Sequence, residues 1–216
     1  MTDPNKTAVA FVIDESGSMT GRRSDVVGGF KTFIEAQKKL PGECSVSVTT
    51  FSDVAKIAYT DRDIKNVGDL EYHPNGFTAL YDAVGSTINE LGARLTALPE
   101  DQRPSRVILV IITDGQENSS TEFDKAKVKE MIDHQREKYN WVVNFLGCGL
   151  EAMAEAGKIG IAASNTVQFS SANASAAFAN TSQKVGLCRS MDPTVYACAM
   201  NYTDGDRKNL MDDPQP

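Results

Sequence analysis

The run Arg106-Val107-Ile108-Leu109-Val110-Ile111-Ile112 leads directly into Thr113-Asp114-Gly115. A short apolar run ended by a turn signal fits a strand buried on both faces, as in a parallel sheet. Thr7-Ala8-Val9-Ala10-Phe11-Val12-Ile13 has the same character and runs into Asp14-Glu15-Ser16-Gly17-Ser18-Met19. Helical periodicity surrounds these runs. Residues 24–38 place Val26, Val27, Phe30, Phe33 and Ile34 on one face, and residues 79–95 do the same with Leu80, Val84, Ile88, Leu91 and Leu95. Further helices are predicted over 122–138, 150–156 and 172–185, and further strands over 141–146 and 166–169. Residues 44–51 alternate like a strand, and residues 54–59 pair back on them through Ser52-Asp53. Residues 61–76 read as polar and irregular. Strands alternating with helices predict a three-layer, doubly wound α/β fold. Its sheet is mostly parallel, with the hairpin supplying one antiparallel edge strand. Residues 1–185 read as the domain and 186–216 as a C-terminal extension, the last ten or so residues mobile.

The chain has 216 residues, 41% hydrophobic and 24% charged. That length suits one domain, which can bury roughly 70% of its extended-state surface without help from a disulfide or metal. With 22 Lys+Arg against 29 Asp+Glu, the net charge is −7. No positive excess is available to displace counterions from a phosphate backbone, so no nucleic-acid partner is expected. No apolar run reaches the roughly 18 residues of a membrane span, so no membrane partner is expected either. Residues 1–6 are polar and carry no secretory pattern. Cys44, Cys148, Cys188 and Cys198 are widely spaced, and the two in strand-like segments read as small buried hydrophobes. A cytoplasmic location is the expectation.

In a doubly wound sheet, ligands sit beyond the carboxyl ends of the strands, where strand order reverses. The loops there carry Asp14-Glu15-Ser16-Gly17-Ser18 and Thr113-Asp114-Gly115. Two carboxylates brought together repel unless a proton or a cation lies between them. Ser16 and Ser18 add hydroxyl oxygens, and no His or Cys lies in either loop. An all-oxygen set suits magnesium or manganese better than zinc.

Asp14-Glu15-Ser16-Gly17-Ser18 matches the D-x-S-x-S pattern of the von Willebrand factor type A domain, which carries a metal ion-dependent adhesion site on a Rossmann-like sheet. Gly76-Phe77-Thr78-Ala79-Leu80-Tyr81-Asp82-Ala83 resembles the loop supplying the family's threonine, and Thr113-Asp114-Gly115 the segment supplying its second aspartate. The resemblance covers roughly residues 5 to 185 and looks closest to the short intracellular bacterial or phage members. It implies that Ser16, Ser18 and Thr78 place oxygens on Mg²⁺ or Mn²⁺, with Asp14 and Asp114 acting mainly through waters. Such a cation keeps an attraction for an Asp or Glu carboxylate of a protein partner. The family's intracellular members commonly work beside ATPases or in multi-protein assemblies. The resemblance therefore implies a binding module without enzymatic activity. Glu15, Met19, Asn75, Phe77 and Gln116 are the expected exposed rim.

Two structural roles compete with these assignments. Asp14, Ser16 and Ser18 could satisfy backbone donors at a strand-to-helix turn and cap the next helix, and Thr78 could cap the helix starting at Ala79; Asp82 in a helix's first turn is favoured by the helix dipole alone. Glu117 and Asn118 read as ordering their own loop. The competing function is a magnesium-dependent phosphohydrolase with Asp14 as nucleophile. Ser16 stands where such enzymes carry a second, acid/base aspartate, and a serine is a poor general acid at neutral pH. The last helix and the segment beyond it form a further candidate, for a regulatory movement.

Overall fold

The computed structural model describes residues 1–211. β1 (Asp3–Asp14) lies inside a six-stranded sheet of order β3-β2-β1-β4-β5-β6. β2 (Glu43–Phe51), β4 (Pro104–Thr113), β5 (Val142–Cys148) and β6 (Thr166–Phe169) run parallel with it, and β3 (Ala55–Asp63) is the antiparallel edge. This is the predicted α/β architecture. The order reverses at β1, whose neighbours are β2 and β4.

The two apolar runs lack alternation because helices cover both faces. Val9, Phe11, Ile13, Ile108, Val110 and Ile112 pack toward α1 (Arg23–Lys38) and α5 (Ala174–Ser190). Ala8, Ala10, Val12, Leu109 and Ile111 pack toward α2 (Leu80–Ala97), α3 (Lys125–Tyr139) and α4 (Leu150–Lys158). On the first face Phe11 meets Phe30 and Phe33 edge to face, with ring centroids 5.6 and 4.9 Å away. Gly29 lets α1 approach α5 closely, since a Cβ there would lie 2.7 Å from the Phe178 ring.

Several boundaries differ from the sequence expectation, each for a physical reason. β3 extends to Asp63 rather than residue 59. It is an edge strand, bulged against β2 and largely exposed, so its far half carries no apolar signal. α3 begins at Lys125 rather than residue 122, because the Asp124 carboxylate accepts the Lys127 amide at 2.8 Å and sets the start. A 3₁₀ turn, Gly17–Arg22, precedes α1.

The largest difference is at the C-terminal end. α5 continues to Ser190 rather than residue 185. Beyond it come a 3₁₀ turn, Tyr196–Met200, and α6 (Asp204–Met211). Tyr196, Met200, Tyr202 and Leu210 are buried in the core on the α1/α5 face. The buried Asn144 side chain on β5 donates to the Met200 carbonyl at 2.8 Å. The mobility expected of the last ten residues falls partly on α6, which is helical through Met211. Residues 212–216 lie outside the described residues. Among the described residues, no helix is long and apolar enough to cross a membrane.

Candidate functional site

β1 and β4 are adjacent and in register, with Ile13 level with Ile112. The next residues, Asp14 and Thr113, therefore meet at the crest of the sheet. The Thr113 hydroxyl donates to Asp14 Oδ2, and the Ser16 amide donates to Oδ1 at 2.7 Å. The Tyr72 hydroxyl donates to the Asp14 carbonyl. Asp14 is fully buried. Burial pushes its carboxyl up to about 6, the hydrogen bonds from Ser16 and Thr113 only partly offset that, and the negative charge of Asp114 adds to the rise.

Three loops are stitched together above these strands. The Gly17 amide donates to the Gly76 carbonyl at 3.0 Å, and the Asn75 amide to the Glu15 carbonyl at 2.8 Å. These bonds draw the Thr78 loop against the Asp14-to-Ser18 loop. Gly76 adopts φ +72, and a Cβ there would fall 2.3 Å from Asp53 Oδ2. The Thr78 loop is tied in turn to the β4 loop. The Thr78 amide donates to Asn118 Oδ1 at 2.9 Å, the Asn118 amide returns to the Thr78 carbonyl at 3.0 Å, and the Tyr81 amide donates to Glu117 Oε2 at 2.9 Å. Glu117 also accepts the amides of Ser119 and Ser120, so it does order its own loop.

The polar oxygens converge inside this frame. Ser16 Oγ lies 3.1 Å from Ser18 Oγ, and the Ser18 hydroxyl donates to Asp114 Oδ1 at 2.6 Å. Arg22 Nη1 donates to Asp114 Oδ2 at 2.6 Å and to the Ser18 carbonyl at 3.1 Å. The capping alternative is not what these hydroxyls do. Ser16 makes no side-chain cap bond to the turn after it, and α2 has Ala79 at its N-cap, with no side chain bonded there. Thr78 is buried beside Gly115, where a Cβ would lie 3.6 Å from the Thr78 hydroxyl. Asp82 is structural, since its carboxylate accepts the amides of Thr121, Glu122 and Phe123 at 2.8, 2.9 and 2.8 Å.

The donor set fits a hard divalent cation. Every candidate ligand is an oxygen, drawn from two carboxylates and three hydroxyls. Among the described residues no group of three His, Cys, Asp or Glu offers a competing metal site. The four cysteines are free, and burial pushes the Cys44 and Cys188 thiols up to about 11 and 12, which keeps them protonated. The same geometry disfavours Asp14 as a nucleophile, because it is fully buried and both its oxygens are engaged.

The residues expected at the rim are not all exposed. Asn75, Gln116 and Phe77 are exposed, Phe77 by 67%. Met19 is fully buried, because the 3₁₀ turn points it into the α1-side core. Glu15 is also buried, and its carboxylate accepts the His73 amide, so it braces the loop instead of facing outward. Sequence reasoning missed Thr113, Tyr72 and Arg22. Thr113 adjoins the Asp-Gly turn, and Arg22 stands four residues after Ser18; Tyr72 lies in a stretch that carried no signal.

The fold and loops define a doubly wound α/β domain with an oxygen-lined crest at the switch point. The chain belongs to the von Willebrand factor type A domain family, whose sequence profile matches residues 8–184. Domains of this family commonly mediate metal-dependent protein interactions. Several solved structures share the fold. A von Willebrand factor type A protein from Catenulispora acidiphila aligns at TM-score 0.57 and 17% identity, covering 90% of this chain and 43% of its own. Proximal thread matrix protein 1 of the mussel byssus, with a zinc-occupied MIDAS motif, aligns at TM-score 0.58 and 20% identity, covering 85% and 47%. The pilus adhesin SpaC of Lactobacillus rhamnosus GG aligns at TM-score 0.65 and 14% identity, covering 84% and 31%. The chain thus spans less than half the length of each of these proteins. No curated protein matches it by sequence.

Proposed function

We propose that the chain is a metal-dependent protein-recognition module. Ser16, Ser18 and Thr78 would hold a divalent cation, Mg²⁺ or Mn²⁺, with Asp14 and Asp114 behind them. A bound cation supplies an open coordination position for an Asp or Glu carboxylate of a partner protein. The chain's own residues do the rest. Asp14, held by Ser16 and Thr113, and Asp114, held by Ser18 and Arg22, present fixed charge to the pocket. Neutral hydroxyls as direct ligands leave the ion's charge incompletely cancelled, which favours an anionic ligand from outside. Asn75, Phe77 and Gln116 form the rim that a partner would touch.

The observation that carries this reading is the convergence of three stitched loops on two carboxylates and the hydroxyls of Ser16 and Ser18, none spent on a helix cap. An ATPase or another component of a cytoplasmic multi-protein assembly is the partner class that the family resemblance favours. The test is calorimetric titration of Mg²⁺ and Mn²⁺ into the wild type and Asp14→Ala, with melting curves for both. Saturable binding in the wild type and at least a tenfold loss in a folded Asp14→Ala protein is the expected result. Equal binding by the two proteins would overturn the assignment. So would an Asp14→Ala chain that cannot fold, since it would make the loop a structural device.

A further inference from the structure

The residue that departs most from a simple oxygen-lined pocket is Arg22. Its Nη1 lies 2.6 Å from Asp114 Oδ2 and 3.1 Å from the Ser18 carbonyl, so it touches two of the loops that frame the pocket. The Asp114 side chain is 4% exposed and that of Arg22 19%, so water screens this pair weakly. Asp114 thus already carries one positive charge built into the chain. Cation affinity rises with the uncancelled negative charge of a site, and a guanidinium on one carboxylate lowers that charge.

The pairing is also incomplete. Both hydrogen bonds come from the same nitrogen, and Nε is buried without an acceptor. A guanidinium engaging a carboxylate through one nitrogen lacks the parallel two-bond fork that makes such pairs strong. Asp114 is therefore held by a contact that a divalent cation can weaken or replace.

We propose that Arg22 is a built-in competitor of the divalent cation for Asp114, which keeps resident metal affinity low. This rests on the metal site of the preceding subsection. Its consequence is co-dependence: an incoming partner carboxylate restores the negative charge that Arg22 cancels, so metal and partner bind more tightly together than apart. Arg22 is a positioning and tuning residue, since its contacts are with Asp114 and the Ser18 carbonyl.

The experiment titrates Mn²⁺ alone into the wild type, Arg22→Gln, Arg22→Met, Arg22→Lys and Asp14→Ala, and records melting of each in chelator and in saturating Mn²⁺. Both neutral variants are expected to bind Mn²⁺ roughly tenfold more tightly than the wild type, equivalent to about 1.4 kcal/mol. Arg22→Lys keeps the charge and should stay within about threefold of the wild type. In chelator the neutral variants should melt lower, having lost the Asp114 pairing, and their gain in Tm on adding Mn²⁺ should exceed that of the wild type. Affinity in the neutral variants equal to or weaker than the wild type overturns the competitor role and makes Arg22 a plain clamp. The absence of any saturable binding that depends on Asp14, in every variant, instead overturns the metal site itself. Using two neutral variants separates a charge effect from a folding failure in either one.

Discussion

Asp82 lies in the first turn of α2 and ends three orphan amides of the segment leading to α3, those of Thr121, Glu122 and Phe123. Charge-assisted bonds to amides are worth about 1.5–3 kcal/mol in net stability. Asp82→Ala should therefore cost roughly 2–3 kcal/mol and lower Tm by roughly 5–10 °C. Melting in chelator checks this without any contribution from metal, and an unchanged Tm would remove the bracing role. Residue-scale roles of this kind were partly legible in the sequence. The order and type of Asp14, Ser16, Ser18, Thr78 and Asp114 were visible because a turn between strand and helix leaves a short, unambiguous string. Side-chain direction was not. Met19 and Glu15 both follow the strand, yet the 3₁₀ turn and the His73 amide draw them inward. Neither direction is written in a periodic pattern: Met19 turns inward with its own 3₁₀ turn, and His73, which holds Glu15, lies 58 residues away.

Among elements, α6 shows how a polar stretch becomes part of the fold. Its Asp206 carboxylate accepts Lys184 Nζ on α5 at 2.9 Å, the Asn180 side-chain amide at 2.5 Å and the Thr203 amide at 2.8 Å. Burial would push this carboxyl up, but the Lys184 ammonium and the other donors outweigh burial and hold it well below the usual carboxylate range. The sign of the linkage follows. A depressed acid stabilises the fold above its unfolded pKa, near 3.9, and loses that contribution as pH falls from about 4 toward the folded value. Asp206→Asn should therefore lower Tm at pH 7 and flatten the dependence of Tm on pH below about 4. Parallel pH–melting curves for wild type and variant, overlapping at pH 7, would show that the α5–α6 contact carries no weight. The sequence concealed this element for a clear reason. Its only buried residue is Leu210, so α6 has no apolar stripe, and its hold comes from Asp206 and from Arg207, which reaches the Thr166 carbonyl at 2.6 Å. The buried strands, by contrast, announced themselves through unbroken apolar runs.

For the whole molecule, the question is where the folding unit ends. The family profile stops at residue 184, and helical periodicity placed the last helix's end at 185. Neither coincides with the edge of the core. Tyr196 and Met200 are fully buried, and Tyr202 and Leu210 are exposed by only 6% and 2%. Each buried side chain of this kind contributes about 1.5–3 kcal/mol, so the four together are worth roughly 6–12 kcal/mol. That is the same order as the whole stability of a domain, about 5–15 kcal/mol. This C-terminal strap, residues 191–211, also supplies partners that the rest of the domain would otherwise lack. The Tyr196 hydroxyl donates to the Asn140 carbonyl at 2.6 Å, Asn144 reaches Met200, and Lys184 sits on Asp206. Removing it would leave Asn144 unpaired on one side and the Lys184 charge without its carboxylate, both costly in a largely buried setting. A chain ending after Ser190 is therefore expected to unfold, aggregate or melt at least 15 °C below the full chain, although it keeps every residue of the family profile. Asp14→Ala, which leaves the strap intact, should keep a cooperative melt. Circular dichroism melting and sedimentation of the two proteins decide the matter. A soluble truncation that melts cooperatively within a few degrees of the full chain would put the strap outside the folding unit. It would then be a terminal segment available to move relative to α5 and the loops at the crest of the sheet.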